Sequence, residues 1–249
     1  VRLSDYGMIC PSHNLFRKNS VCELCSKGDL INSVKYKCVH DSYGASFVNY
    51  IAKKYHLKKE YFNLIKKFVS PSQFLIQKMV EVGWPKEKFS HVPTFAFVPE
   101  NSINKKIPCQ IIYSGRMEYI KGVHLLLQAV KILFEKNGIN IRLKLAGNGS
   151  ERYILMLKQY CSQNNLNGVE FMGNLNKQVL FGHIRESLFS VITSLCYDNL
   201  PNSALESLAL GTPLIAPDHG CFPELVKVNE TGILFIPDDA DDLAEKMKM

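Results

Sequence analysis

Long apolar runs are absent from this sequence, and so is any excess of glycine or proline. The 249 residues contain no stretch of about 18 apolar residues, and charge-free runs such as Ser187–Tyr197 are too short to span a bilayer. Glycine (15 residues) and proline (11 residues) are at ordinary levels, which excludes collagen-like and low-complexity chains. With 46% hydrophobic and 21% charged residues, the composition is that of a globular protein. We therefore expect a folded chain that does not cross a membrane.

Acidic residues are fewer than basic ones, but the imbalance is mild. Lysine and arginine total 30 against 23 aspartates and glutamates, which gives a net charge of +7 and a pI of about 8.9. The excess is spread over residues 53–67 and other places rather than over one arm. Such a surface suits nucleic acid, anionic lipid headgroups or phosphorylated substrates, and the charge does not choose among them. A solvated basic surface with no partner explains it equally well.

The amino-terminal sequence lacks both an initiator methionine and an apolar leader, so we expect a fragment of a longer protein. Eight cysteines would suit a secreted, disulfide-rich protein, but their placement indicates otherwise. Four lie within residues 10–38, and the others are scattered singly, as is typical of free thiols in a cytosolic protein. These scattered residues are Cys109, Cys161, Cys196 and Cys221. A cytoplasmic location is therefore predicted.

Sequence periodicity divides the chain into two parts joined by the polar stretch 99–107. Residues 1–103 begin with an irregular, cysteine-bearing segment and continue with helix-like patterns at 44–55 and 58–66. Residues 108–249 alternate strands with helices, the first helix at 121–136. The strands are predicted at 110–113, 141–146, 169–172, 188–193, 213–216 and 231–236. Such alternation predicts an α/β fold with a parallel sheet covered on both faces, in domains 1–103 and 108–249.

Two cations follow the first strand of the second domain. Parallel sheets bind ligands at the carboxyl ends of their strands, where helix amino termini point free N–H groups. Arg116 comes after Gly115 at a strand end, and Lys121 is predicted at the start of the next helix. A guanidinium and an ammonium that converge beside helix N–H groups suit a diphosphate. Two unrelated surface cations in a loop are the alternative.

Glycines follow two further predicted strands. Gly147, Asn148 and Gly149 come after the second strand, and Gly173 after the third. The spacing lacks the full G-x-G-x-x-G pattern of dinucleotide-binding loops. Either these residues form ligand-facing loops, or the turns need glycine for steric reasons alone.

Three carboxylates lie in the carboxyl-terminal half of the second domain. Asp198 precedes Glu206 by eight positions, and Asn202 or Ser203 is expected to cap the helix between them. Glu206 can accept two hydrogen bonds from a ribose diol, while Asp198 and Glu224 can hold sugar hydroxyls. Purely structural roles are the alternative for two of these acids. Ser203 and Glu206 fit a capping box, and Glu224 complements the dipole of a short helix.

Taken together, the order and spacing of these motifs resemble glycosyltransferase family 4, the group 1 transferases of the GT-B fold. The resemblance covers essentially all of residues 108–249. It rests on the motifs just described together with Gly211-Thr212-Pro213 and Thr231-Gly232. It implies two Rossmann-like domains, the first incomplete here, whose parallel sheets face a cleft. It also implies retention of the anomeric configuration and no cofactor for catalysis.

The resemblance assigns roles to individual residues. It implies that Arg116 and Lys121 neutralise the diphosphate of a nucleotide sugar. Glu206 would hold the ribose, and Asp198 would contact the donor sugar. The family usually has glutamate at the first acidic position, so Asp198 keeps the charge with a side chain about one methylene shorter. We therefore expect the shorter side chain to change which donor sugar is preferred.

The amino-terminal segment is similar to a subset of these transferases that build bacterial surface polysaccharides and carry a Cys-Pro followed by Cys-x-x-Cys. Ser4-Asp5 stands where many relatives have a His-Asp pair. The spacing of four cysteines is compatible with a structural zinc site, with two disulfides, or with buried free thiols. These cysteines are Cys10, Cys22, Cys25 and Cys38.

The function implied is a retaining hexosyl- or related glycosyltransferase in surface polysaccharide synthesis. Its partners would be a nucleotide-sugar donor and a glycan or lipid-linked acceptor. The basic surface is compatible with peripheral contact to an anionic membrane, on the inner face. The alternative is a catalytically inert, glycosyltransferase-like binding or scaffold subunit, suggested by Ser4 and Asp198. No nucleic-acid partner is expected, because aromatic and basic residues are not interleaved on a platform.

Overall fold

The computed structural model describes residues 1–26, 28–99 and 105–248, and these form two compact units. The first unit comprises Val1–Thr94 and Cys196–Leu200, and the second comprises Phe95–Leu195 and Pro201–Met249. The boundary predicted near residue 103 lies within 100–104, outside the described residues. Among the described residues, no helix is long and apolar enough to cross a bilayer.

The first unit combines short strands with helices. Strands β1 and β2 form an antiparallel hairpin, and β3 pairs in parallel with β4. The strands are β1 (Phe16–Arg17), β2 (Ser20–Val21), β3 (Phe68–Ser70) and β4 (Phe89–His91). The helices are α1 (Asn32–Lys35), α2 (Tyr43–Lys58) and α3 (Gln73–Glu81), with short 3-10 turns at Tyr61–Leu64 and Lys86–Lys88. Apolar side chains of β3, β4 and α3 form the core together with Leu3, Tyr6, Ile9 and Leu15.

Helix α2 is longer than its sequence pattern predicts. The Ser42 side chain accepts a hydrogen bond from the Ala45 N–H (3.3 Å) and so caps its amino terminus. The helix ends before Glu60, whose backbone is left-handed (φ 52°). The second predicted helix, 58–66, is therefore reduced to the 3-10 turn that follows Glu60.

The second unit contains a six-stranded sheet in which every pairing is parallel. The spatial order is β10-β9-β8-β5-β6-β7. The strands are β5 (Gln110–Ser114), β6 (Arg142–Ala146), β7 (Val169–Gly173), β8 (Ser190–Val191), β9 (Leu214–Pro217) and β10 (Gly232–Phe235). The helices are α4 (Val123–Asn137), α5 (Glu151–Gln163), α6 (Lys177–Glu186), α7 (Asn202–Ala209), α8 (Phe222–Leu225) and α9 (Ala240–Lys246). The predicted α/β class with a parallel sheet is confirmed.

Burial of α4 against the sheet explains why this unit holds together. Leu126, Leu127 and Leu133 are fully buried on one face of the helix, opposite the fully buried Leu143 and Leu145 of β6. Each such side chain contributes roughly 1.5–3 kcal/mol when it leaves water. The reversal of strand order between β5 and β8 creates the switch point where α/β sheets of this type bind ligands.

Candidate functional site

The loops after β5, β6 and β7 are joined by backbone hydrogen bonds. Met117 N–H donates to the Asn148 carbonyl (2.8 Å), which joins the first two loops. Gly147 N–H donates to the Gly173 carbonyl (2.8 Å), which joins the second loop to the end of β7. Three predicted ligand-facing segments are therefore neighbours at the carboxyl edge of the sheet.

The same layer of loops continues across β8 and β9. Leu195 N–H donates to the Ile120 carbonyl at 2.9 Å, so that the segment after β8 supports the loop after β5. The His219 ring nitrogen Nε2 lies 2.9 Å from the Ser194 carbonyl, which links the segments after β9 and β8. Five of the six strand ends thus meet in one continuous layer, with the switch point at its centre.

Steric demand accounts for the glycines of the loop after β6. A Cβ atom at position 147 would lie 1.9 Å from the Gly115 carbonyl oxygen, and one at position 149 would lie 1.7 Å from that of Met117. Both distances are far inside van der Waals contact, so no side chain fits. Of the two explanations considered for Gly147 and Gly149, the steric one is therefore sufficient. No ligand contact is needed to account for these glycines.

Arg116 and Lys121 both lie in the loop between β5 and α4. The Arg116 side chain is 71% exposed, and its Nη1 lies 3.1 Å from Glu118 Oε1. Lys121 is partly buried and ends the 3-10 turn Tyr119–Lys121. The prediction that α4 begins at Lys121 is wrong, because Gly122 adopts a left-handed conformation (φ 65°) and the helix starts at Val123.

Glu206 lies in the second turn of α7 and is paired with a lysine that sequence analysis missed. Lys177 Nζ is 3.2 Å from Glu206 Oε1. The Glu206 side chain is 14% exposed and that of Lys177 74% exposed. Lys177 is the first residue of α6 and follows β7 at the same carboxyl edge. The sequence signal for Lys177 is its position shortly after Gly173, the end of β7, because residues that follow such a strand lie at the ligand-binding edge of the sheet.

The predicted capping of α7 is wrong. The helix begins at Asn202, and its N-cap residue is Pro201. Among the described residues, no side chain forms a capping hydrogen bond at this end of the helix. Asn202 and Ser203 therefore lie inside the first turn, and the capping-box alternative for Glu206 does not apply. Proline at this position has a fixed φ near that of the helix, which favours the start immediately after it.

Asp198 belongs to the first unit, whereas Glu206 belongs to the second. Asp198 is 9% exposed. Its neighbour Tyr197 packs edge-to-face on Phe74 with ring centroids 4.7 Å apart. On its other side, Asn199 Oδ1 accepts a hydrogen bond from Ser72 Oγ at 2.8 Å. The two acids of the predicted motif are therefore held by different units.

The remaining predicted acid, Glu224, is exposed on the four-residue helix α8. A further acid, Asp5, has a histidine partner that the sequence did not reveal. His13 Nδ1 lies 3.2 Å from Asp5 Oδ2, and Gly7 N–H donates to Asp5 Oδ1 at 2.7 Å. The loop thus brings an imidazole to Asp5 from eight positions further along the chain.

The cysteines of segment 10–38 are free thiols in the structure. Burial, followed by the neighbouring thiols of Cys10, Cys38 and Cys22, raises the pKa of Cys25 to about 12, and the nearby Lys53 opposes this. The four thiols therefore lie close enough to interact. Across residues 1–26, 28–99 and 105–248, however, no group of three or more His, Cys, Asp or Glu side chains is arranged to hold a metal ion. The structure therefore does not support a zinc site, one of the three alternatives that the sequence left open for these cysteines.

An aromatic cluster holds the turn that carries Lys121. Tyr119 stacks on His124 with ring centroids 4.5 Å apart. The Tyr153 hydroxyl lies 2.8 Å from His124 Nδ1 and accepts from the His124 backbone N–H at 3.2 Å. Burial lowers the pKa of His124, with Asp238 opposing, and burial raises the pKa of Tyr153 to about 12. His124 and Tyr153 are therefore uncharged at neutral pH.

The buried His124 predicts a pH-dependent stability. Because its pKa is lower in the folded state, the unfolded chain takes up more protons below the ordinary histidine pKa of about 6.5. Its contribution is complete above that pH and is lost as the pH falls through the folded pKa. Between pH 7 and 5, the free energy of unfolding should fall more steeply for the wild type than for His124→Gln. The difference should be at most about 1 kcal/mol per pH unit, since partial exposure screens the charge. Urea unfolding at several pH values measures both slopes, and equal slopes would contradict this role of His124.

Comparison with known protein families gives one family match. Residues 108–249 match the family described as "Glycosyl transferases group 1", which is more than half of the chain. The match begins immediately before β5 and includes the entire six-stranded sheet.

Individual curated proteins are similar over more than half of the chain. Glycogen synthase of Mycobacterium tuberculosis is 30% identical over 141 residues, which are 57% of this chain and 33% of that protein. The putative colanic acid biosynthesis glycosyltransferase WcaL of Escherichia coli is 25% identical over 178 residues, 68% of this chain and 44% of that protein. The chain thus spans less than half the length of these relatives.

Solved structures share the fold. Anabaena Alr3699/HepE in complex with UDP and glucose aligns with a TM-score of 0.61 at 19% identity, covering 73% of this chain and 52% of that one. Sucrose-phosphate synthase from Thermosynechococcus elongatus aligns with a TM-score of 0.64 at 20% identity, covering 87% and 55%. At such identities the likeness concerns the fold, and it confirms the Rossmann-like GT-B class predicted from the sequence.

Proposed function

Since this chain belongs to the group 1 glycosyl transferases, we propose that it forms part of a retaining enzyme that uses a nucleoside diphosphate sugar. The enzyme moves the sugar to a glycan or lipid-linked acceptor. The observation that carries this proposal is the continuous loop layer at the carboxyl edge of the sheet. It contains Arg116, Lys121 and Gly147–Gly149, and it spans the switch point between β5 and β8.

The diphosphate is assigned to the loop between β5 and α4. Arg116 reaches solvent from this loop, and Lys121 lies five residues further along the same loop. In this proposal both cations stabilise the negative charge that grows on the departing diphosphate, and backbone hydrogen bonds hold the loop that carries them. UDP in the related Anabaena structures supports a nucleoside diphosphate as the leaving group.

The ribose is assigned to Glu206. Its largely buried carboxylate has two oxygens, and the Lys177 ion pair holds one of them at 3.2 Å. A ribose diol presents two adjacent donors, which a fixed carboxylate accepts better than a mobile one. Asp198 is assigned to hydroxyls of the donor sugar and Glu224 to a further sugar hydroxyl.

Retention of the anomeric configuration is assigned to attack by the acceptor hydroxyl on the same face of the sugar from which the diphosphate departs. The three candidate carboxylates, Asp198, Glu206 and Glu224, are all assigned to hydroxyls, which leaves none of them to form a covalent sugar intermediate. The leaving phosphate oxygen therefore accepts the proton of the acceptor hydroxyl, while the C1–phosphate bond breaks and the new glycosidic bond forms. The names of WcaL and of the amylovoran biosynthesis glycosyltransferase AmsK favour surface polysaccharide synthesis as the process.

Thermal unfolding with a panel of nucleotide sugars tests the proposal. At a hundredfold excess over its Kd, a ligand of the native state adds about 2.7 kcal/mol of stability, which raises the Tm of a chain this size by about 5–10 °C. We expect such a rise in the full-length protein for at least one uridine, guanosine or adenosine diphosphate sugar. The corresponding sugar 1-phosphate is the control, and Glu206→Gln should lose most of the rise.

Three outcomes of this panel are distinguishable. A rise that depends on Glu206, followed by nucleotide release when acceptor is added, supports the transferase. A rise without release in the presence of acceptor favours the inert binding subunit. No rise with any nucleotide sugar would contradict donor binding altogether.

A further inference from the structure

The segment that carries Asp198 is anchored on both sides of that residue. Cys196–Leu200 belongs to the first unit, whereas the chain before and after it belongs to the second. On the amino-terminal side, the Tyr197 ring packs on Phe74 with ring centroids 4.7 Å apart. On the carboxyl-terminal side, the side-chain amide of Asn199 makes two hydrogen bonds within the first unit. Asp198 is therefore held through both of its neighbours in the chain.

Both ends of the Asn199 amide are used. Its Oδ1 accepts a hydrogen bond from Ser72 Oγ at 2.8 Å, and its Nδ2 donates to the Leu3 carbonyl at 3.4 Å. Leu3 is itself fixed, because its N–H donates to the Val69 carbonyl of β3 at 2.8 Å. An amide with partners on oxygen and on nitrogen loses one of them if it turns. The backbone beside Asp198 is therefore set in one orientation.

Ser72 is a rigid anchor for this amide. It is fully buried in the turn between β3 and α3. Ser70 Oγ donates to the Ser72 carbonyl at 2.8 Å and accepts from the Ser72 N–H at 3.3 Å. The Ser72 hydroxyl accepts from the Leu75 N–H at 3.2 Å and so caps α3. Its single proton is then directed to Asn199.

Regular structure does not hold this part of the chain. Strand β8 ends at Val191 and helix α7 begins at Asn202, so residues 192–201 lie outside helices and strands. Leu200 is buried with a left-handed backbone (φ 61°), which is strained for a leucine. Such strain persists only where the surroundings dictate the conformation, and it collects at functional sites. The anchors around Asp198 supply that constraint.

We propose that Ser72 and Asn199 are positioning residues that hold Asp198 for recognition of the donor sugar. This inference rests on the proposed function, which assigns Asp198 to hydroxyls of that sugar. A carboxylate that is already held in place binds hydroxyls without a further loss of freedom. The groups assigned to the diphosphate and the ribose belong to the second unit. Loss of the Ser72–Asn199 hydrogen bond should therefore weaken recognition of the sugar and leave that of the nucleoside diphosphate unchanged.

Calorimetric titration of the full-length protein tests this separation. The probes are UDP-glucose, UDP-galactose, UDP-N-acetylglucosamine, GDP-mannose and ADP-glucose, each compared with its free nucleoside diphosphate. The readout is the Kd of the tightest-binding nucleotide sugar divided by the Kd of its diphosphate. Ser72→Ala and Asn199→Ala should each raise this ratio about 3–10-fold, the range that one hydrogen bond supports. The double variant should raise it no more than Asn199→Ala alone, because both changes remove the same hydrogen bond.

Ser42→Ala is the matched control for Ser72→Ala. Ser42 caps α2 as Ser72 caps α3, since its side chain accepts from the Ala45 N–H at 3.3 Å. Both variants should lower the Tm, because each removes a helix cap. Only Ser72→Ala should raise the ratio of dissociation constants. An equal rise in the two variants, an unchanged ratio in Ser72→Ala, or independent effects that multiply in the double variant would overturn the proposal.

Asp198→Asn separates this inference from the proposed function. The substitution keeps the shape of the side chain and removes its charge, so it should raise the ratio at least as much as Asn199→Ala does. If Asp198→Asn raises the ratio and the variants of Ser72 and Asn199 do not, the positioning role is wrong and the sugar contact of Asp198 stands. If Asp198→Asn leaves the ratio unchanged, or the wild type binds none of the probes, the assignment of Asp198 fails and the positioning role fails with it.

Discussion

Replacing Lys121 with alanine is expected to lower the rate of donor-dependent nucleotide release by about 10²–10³-fold in the full-length protein. A preorganised group that stabilises charge developing in the transition state is typically worth this factor. The backbone at Lys121 is fixed independently of its ammonium group, because its carbonyl accepts a hydrogen bond from Thr193 Oγ1 at 2.9 Å. The substitution therefore removes the charge and leaves the loop in place. Single-turnover release of nucleotide at saturating donor measures the effect on the chemical step.

Lys136→Ala is the matched control for this experiment. Lys136 lies in the last turn of α4, about 20 Å along the helix from Lys121. Its substitution removes the same charge and breaks an exposed surface pair with Asp241 (2.7 Å), which solvent screens. We expect wild-type turnover in this variant and substantial recovery in Lys121→Arg. If Lys121→Ala turned over as fast as Lys136→Ala, the role proposed for Lys121 would be wrong.

The order of elements in the second unit is predictable from sequence because each element follows from short-range patterning. The strand predicted at 110–113 is β5 (Gln110–Ser114), and that at 141–146 is β6 (Arg142–Ala146). Buried parallel strands are short apolar runs. Gly147, which follows β6, is required because a Cβ atom there would meet the Gly115 carbonyl oxygen. The strand predicted at 188–193 shrinks to Ser190–Val191, because only Ser190 pairs with β5 and only these two residues pair with β9.

Side-chain contacts that depend on the tertiary fold could not be predicted from the sequence. Lys177 and Glu206 are 29 positions apart, and their ion pair depends on α6 packing beside α7. Asp5 and His13 meet because the loop between them folds back on itself. The assignment of Asp198 to the first unit depends on Tyr197 and Asn199, whose partners lie more than 100 positions away. No local pattern encodes these pairings, whereas Glu206 and Lys121 were predicted from the family resemblance that the order of the motifs carries.

Gly122→Ala is expected to destabilise the protein strongly. Gly122 has a left-handed backbone (φ 65°), and a Cβ atom there would lie 2.0 Å from the Thr193 carbonyl oxygen. Backbone, not a flexible side chain, is the obstacle, so either α4 or the segment after β8 must move. Overpacking of this kind costs about 1–3 kcal/mol in a core, in addition to about 1–2 kcal/mol for the left-handed conformation. We expect a total loss of about 3 kcal/mol or more in the free energy of unfolding.

Gly138→Ala separates the steric cost from the conformational one. Gly138 ends the same helix with nearly the same backbone angle (φ 67°), but no other part of the described chain comes within 4 Å of a Cβ built there. This variant should lose only about 1–2 kcal/mol, the cost of the left-handed conformation alone. Urea unfolding of both variants gives the difference, and failure of Gly122→Ala to fold beside a folded Gly138→Ala agrees with it. Equal losses would show that the Thr193 carbonyl yields easily. The loop that carries Lys121 would then be too soft to act as a preorganised binding site for a diphosphate.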